Sequence, residues 1–198
     1  MNPLKSIPAT IACGFALAIV IVFALGSAGK VSALESEVWF HVLAGVVWIG
    51  LLYYFNFVQV PAVGQALAEA NSGGPGAAAI NKYVAPRALL WFRWGAVATW
   101  LTGVGALQNL VEGGALKAFM LQDGMRVIGV GAWLGSIMLF NVWVLIWPNQ
   151  KKILGIVTAT PEQIAKSKVV ALMASRTNTL LSIPMLMCMT GYAHGLSF

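Results

Sequence analysis

Apolar residues run almost unbroken through five stretches of this chain, at 7–27, 38–60, 88–111, 126–147 and 178–197. A helix that crosses a membrane needs about 20 such residues, at about 1.5 Å each, to span a hydrocarbon core of about 30 Å. Each stretch is long enough. The connection 69–87 reads EANSGGPGAAAINKYVAPR. Its Gly, Pro and Ser predict irregular chain, with room for one short surface helix. The connection after the fourth stretch is more structured. Thr160 stands as an N-cap, Pro161 takes the first helical position, and Gln163 follows three residues after the cap, a capping-box pattern. A basic surface helix over 161–175 is predicted, with Lys166 and Lys168 toward lipid head groups. It can continue into the fifth stretch, where Pro184 would bend it. The pattern predicts an all-α fold: a polytopic transmembrane bundle of about five spans, one integral-membrane domain over 1–198. No whole unit repeats.

Composition agrees. Of 198 residues, 59% are hydrophobic and 9% charged, where a soluble domain carries roughly 25% charged residues. So few charges cannot clothe a water-facing surface, so the lipid bilayer is the main partner. The net charge of +6 does not point to nucleic acid, because the cations follow topology. If five spans alternate, Lys5, Lys82, Arg87, Arg93, Lys151, Lys152, Lys166, Lys168 and Arg176 share one side. Lys30, Lys117 and Arg126 fall on the other, with Glu35, Glu37, Glu112 and Asp123. The positive-inside rule puts the first set in the cytoplasm. The N-terminus is then cytoplasmic, the C-terminus periplasmic, and the location a bacterial inner membrane. Small residues near Gly26–Gly29 raise a cleaved signal peptide, but the apolar run exceeds a usual h-region, so a retained helix is expected. Cys13 and Cys188 form no CxxC and no CxxCH, and read as small apolar residues.

Several polar or small residues lie inside the stretches. Gly131 and Gly135 make a GxxxG, and Gly95, Gly103 and Gly105 lie in the third stretch; plain helix packing is the expected role. Trp39 and Trp147 sit near predicted membrane boundaries. Arg93, between Trp91 and Trp94, is expected to snorkel or to stack on a tryptophan. Asn141 is expected to bond a neighbouring helix.

The chain has two histidines, His41 and His194. On the alternating topology both lie near the outer ends of their spans, at similar depth. An imidazole inside a membrane span is a functional candidate, and two at one depth could hold a haem iron from opposite faces. His41, Gly45, Trp48 and Leu52 share one helical face, and Gly45 would leave room for a flat macrocycle. Gly191 stands three residues before His194. Arg126 could pair with haem propionates. The competing reading puts each histidine at the interface, bonded to lipid or backbone. A zinc site lacks further ligands.

Four motifs, HVLAGVVWIG (41–50), LLWFRWGAVATWLTG (89–103), LGSIMLFNVWVLIWPNQKKI (134–153) and NTLLSIPMLMCM (178–189), occur in this order. Together they resemble the membrane (N-terminal) domain of the bacterial membrane-bound urate oxidase, or urate hydroxylase, family. The resemblance implies a multi-span redox protein whose electrons leave to a periplasmic cytochrome c. In the family a cytochrome domain follows; here the partner would be a separate periplasmic cytochrome c or respiratory-complex subunits. The chain departs from the family pattern where histidines and a carboxylate are expected. It has GAAAINKY in the 69–87 connection, Gly95 after WFRW, Thr177 before Asn178, and no histidine near GVGA. Acid–base groups for urate hydroxylation are therefore largely missing, and the haem end, chiefly His41, survives. The span also resembles, more weakly, haem-b-binding membrane protoporphyrinogen oxidases. The expectation is a membrane redox protein that binds haem b through His41 and His194 and passes electrons on; if an enzyme, it is an oxidoreductase. The alternative is a non-catalytic accessory or assembly subunit of a larger membrane complex.

Overall fold

The computed structural model describes residues 2–26 and 32–196. Among them every regular element is helical. Two compact units, Met1–Ser32 and Ala33–Phe198, divide the chain. The first holds α1, Ile7–Leu25, preceded by a short turn in which Asn2 accepts from the Leu4 amide at 2.9 Å. No described residue of α1 is buried, Cys13 included. The first stretch's expected end at Ser27, the small residues after Gly26 and Lys30 lie outside the described residues, as does Ser197.

The second unit contains α2 (Ala33–Tyr54), α3 (Val60–Glu69), α4 (Ala85–Leu110), α5 (Gly114–Phe119), α6 (Arg126–Phe140), α7 (Trp147–Ile153) and α8 (Pro161–His194). Four helical runs are long and apolar enough to cross a membrane: Ile7–Leu25, Ala33–Ser72, Arg126–Ile153 and Pro161–His194. Helix α4 has the length, at 26 residues. It carries Arg87 and Arg93 in its first half and is not among those four. Within this unit α2 packs along α4, and α6 along α8. Trp48, Leu52, Phe92, Met138 and Val142 fill the shared core. Because lipid is as apolar as these side chains, close van der Waals contact, rather than escape from water, holds such a core together. Glycines permit it. A Cβ on Gly95 would meet the Trp48 backbone at 3.4 Å, and one on Gly131 would meet Cys188 at 3.1 Å. The packing role expected for these two is the one observed, and Cys188 is a buried, free thiol.

Two stretches continue as helix past their expected ends at Val60 and Trp147. Residues 33–72 form one rod, and 126–153 another, each passing through a wider π-helical turn at Phe55–Gln59 and Asn141–Ile146. A third π turn, Ile80–Val84, lies within the connection expected to be irregular and leads straight into α4. A proline follows each turn by two positions: Pro61, Pro86 and Pro148. A proline ring collides with the carbonyl four residues earlier and offers no amide to it. Those carbonyls belong to Phe57, Lys82 and Val144, all inside the π turns. Widening the turn to bonds five residues apart relieves the clash without ending the helix.

Helix α8 is a single helix of 34 residues, about 51 Å long. The separate surface helix over 161–175 is its first half. Its buried residues, Ser167, Ala171, Ala174, Asn178, Ser182, Met185, Cys188 and Gly191, recur every three or four positions. One uninterrupted stripe therefore keeps the helix against its neighbours beyond the length the bilayer needs. The capping box forms as expected: Gln163 N donates to Thr160 Oγ1 at 3.2 Å and Thr160 N to Gln163 Oε1 at 3.0 Å.

Candidate functional site

His41 lies half-buried on the face of α2 that meets α4. Its Nδ1 is 2.7 Å from the Thr99 carbonyl oxygen. A carbonyl only accepts, so Nδ1 carries the proton and, in the neutral ring, Nε2 keeps its lone pair. The ring reaches that carbonyl because the next turn of α4 is bare: a Cβ on Gly103 would stand 2.8 Å from Cε1 of His41. One turn away the arrangement repeats. Glu37 lies over Gly105, whose Cβ would be 2.8 Å from Glu37 Oε1, and Asn109 Nδ2 donates to Glu37 Oε2 at 2.8 Å. Two polar side chains of α2 are thus each seated on an α4 glycine. Thr99, Gly103, Gly105 and Asn109 are the partners that sequence reasoning missed. The signal available was two glycines two residues apart in an otherwise bulky span.

The expected face of His41, Gly45, Trp48 and Leu52 forms, and α4 covers it. A Cβ on Gly45 would touch Thr99 Cγ2 at 3.7 Å, so the space beside this glycine belongs to α4. His194 is exposed on the last turn of α8. Gly191 is buried beneath the Leu196 side chain. Arg126 opens α6 and pairs with Asp123 at 2.7 Å, with both side chains largely exposed. The Thr99 carbonyl and the bare turn at Gly103, both on α4, are what His41 meets among the described residues.

A polar seam runs through the core between α2, α6 and α8. Asn178, fully buried, donates to the Met138 carbonyl at 3.0 Å and accepts from Asn141 Nδ2 at 2.8 Å. The expectation that Asn141 bonds a neighbouring helix is met. Asn56 donates to Ser175 Oγ at 2.8 Å. Ser182 donates to the Thr179 carbonyl at 2.7 Å, so its oxygen accepts from the Tyr53 hydroxyl at 2.9 Å. Asn56 and Asn141 both stand in π turns. Such bonds join helices in a medium that offers no competing water. Two buried polar atoms among the described residues have no partner, Trp48 Nε1 and Gln59 Oε1. Arg93 stacks as expected, but on Trp147 of α7, its guanidinium carbon 3.8 Å from the ring centre.

Residues 117–198 match the family described as urate oxidase N-terminal. The resemblance seen in the sequence is shown for this part of the chain, from the end of α5 through α8. The match includes His194, Gly191, Arg126 and the WPNQKK run, and excludes His41 and α4. No curated protein and no solved structure matches the chain significantly.

Proposed function

We propose that the chain is a five-span inner-membrane redox protein related to the urate oxidase membrane domain, in which His41 would hold haem b. The observation that carries the reading is the 2.7 Å contact between His41 Nδ1 and the Thr99 carbonyl. Ligating histidines characteristically give their second ring N–H to a carbonyl or carboxylate, which sets the tautomer and the ring's orientation. Thr99 and Gly103 would hold His41 in this way, leaving Nε2 for iron. When bound, haem b would supply one-electron transfer. Electrons would pass to a separate periplasmic cytochrome c or respiratory-complex subunit. The cation distribution supports a cytoplasmic N-terminus and periplasmic C-terminus, with α4 counted as the third of five spans. His194 is the weaker half of the expected pair, being exposed on the last turn of α8. The test is colour. Protein purified in mild detergent should show a Soret band and reducible α and β bands, lost in His41→Ala. A colourless, folded preparation ends the proposal. Urate turnover by the coloured protein is expected to be absent, since the residues for acid–base work are missing.

One observation favours the second reading, an accessory subunit of a larger membrane complex. The glycines beside the histidines are already covered, Gly45 by Thr99 and Gly191 by Leu196. A colourless protein that co-purifies with redox subunits from its native membrane would support it.

A further inference from the structure

The geometry points to a binding site for one anionic phospholipid on the face where α4 meets α6 and α7. Its headgroup would rest on Arg93 and Lys151, and an acyl chain would lie in the aromatic groove beyond them. Two observations converge. The first is charge without a counter-ion. Arg93 lies over the Trp147 ring at 3.8 Å, and Lys151, one turn further along α7, has its Nζ 5.9 Å from the same ring centre. Among the described residues neither cationic group has a side-chain hydrogen bond or ion pair. Seated on an indole, a guanidinium still has its N–H fork to offer, and that fork matches phosphate. Two cations brought to one ring repel each other, and at a membrane boundary an anion between them relieves that cost.

The second observation is the surface next to the cations. One turn from Trp147, and next to Arg93 in sequence, begins an open groove of about 520 Å³. Trp94, Val97, Trp100, Phe140 and Trp143 line it. Its indoles are held in place: Trp100 Nε1 donates to Ser136 at 2.8 Å, Trp143 Nε1 to the Arg93 carbonyl at 3.3 Å, and Trp94 meets Trp143 edge to face. The Trp143 bond ties the groove wall to the same residue that bears the guanidinium. From Ser136 to Trp147 the helix rises about 16 Å, which equals one leaflet's share of a hydrocarbon core about 30 Å thick. A cationic clamp at one end and an apolar channel one leaflet deep describe a phospholipid, whereas a small soluble anion would use only the clamp. The site involves neither His41 nor His194, so it stands whether or not haem is bound.

The experiment is native mass spectrometry of the full chain, reconstituted in nanodiscs of phosphatidylcholine with equal phosphatidylglycerol, then released in mild detergent. The wild type should retain phosphatidylglycerol over phosphatidylcholine at one lipid per chain. Arg93→Gln and Lys151→Gln should each lower that retention about tenfold, the scale of one lost charge-assisted bond. Val97→Phe, which fills the groove and leaves both cations, should lower it as well. Lys117→Gln, on α5, should leave it unchanged. Lys151→Gln removes a charge from a partly exposed position, so it reports even if Arg93→Gln fails to fold. Equal retention of the two lipids, or wild-type retention in Lys151→Gln and Val97→Phe, overturns the proposal. So does inorganic phosphate raising the melting temperature as far as phosphatidylglycerol does, since the ligand would then be a free anion.

Discussion

His41 and His194 look alike in sequence, each near the end of an apolar helix with a glycine three or four residues away. Their surroundings differ. His41 is pressed onto Gly103 and bonded to the Thr99 carbonyl of a neighbouring helix. His194 is exposed on the final turn of α8, and its glycine is covered by Leu196 from just beyond the helix end. Depth in a membrane follows from counting residues along a helix. What a side chain faces depends on how that helix is rotated against its neighbours, and α2 and α8 present their histidines to different surroundings.

Substitutions around the two histidines should separate them, as read by unfolding in detergent through tryptophan fluorescence. The largest effect is expected for Gly103→Val. Its Cβ would stand 2.8 Å from the His41 ring, and the added bulk should cost about 2–3 kcal/mol. Gly103→Ala should cost about 1–2 kcal/mol in the wild type and close to nothing in a His41→Ala background. Such non-additivity is the signature of direct contact; simple additivity would mean that the imidazole is not lodged there. His41→Ala alone removes one hydrogen bond to a carbonyl and should cost about 1 kcal/mol. The smallest effects belong to the surroundings of His194. Gly191→Ala displaces only a movable leucine side chain, and His194→Ala frees an exposed ring, so each should stay within about 0.5 kcal/mol. A His194→Ala variant as destabilised as His41→Ala would erase the contrast.

A second pair of regions shows where sequence reasoning succeeds and stops. On α8 the capping box and the start at Pro161 follow from local pattern, and the helix forms with them. At the three prolines, Pro61, Pro86 and Pro148, nothing local announced the outcome: the helices continue through π turns. Proline forbids one hydrogen bond, but a bilayer or a packed core penalises an open backbone more strongly, so the turn widens and the helix persists. The same holds for the glycines of α4. Their presence in the span was evident and their packing role expected, but not that Gly103 and Gly105 would each seat a polar side chain from α2.

Composition and apolar run length by themselves determined that this protein is helical and rich in long apolar segments, because a chain this short of charge must keep its backbone bonded within each segment; where the helices begin and end departs from the apolar runs, with Ala33–Ser72 and Pro161–His194 each longer than the corresponding stretch. They also determined that His41, Gly45, Trp48 and Leu52 share a face, since 3.6 residues per turn leaves no other choice. Only the tertiary structure decided that this face meets Thr99 and Gly103 on α4, that Arg93 rests on Trp147, and that Asn178 closes the seam with Asn141. Those pairings depend on the rotation and height of one helix against another. Both are settled by packing and hydrogen bonding between residues dozens of positions apart, where no local period carries the information.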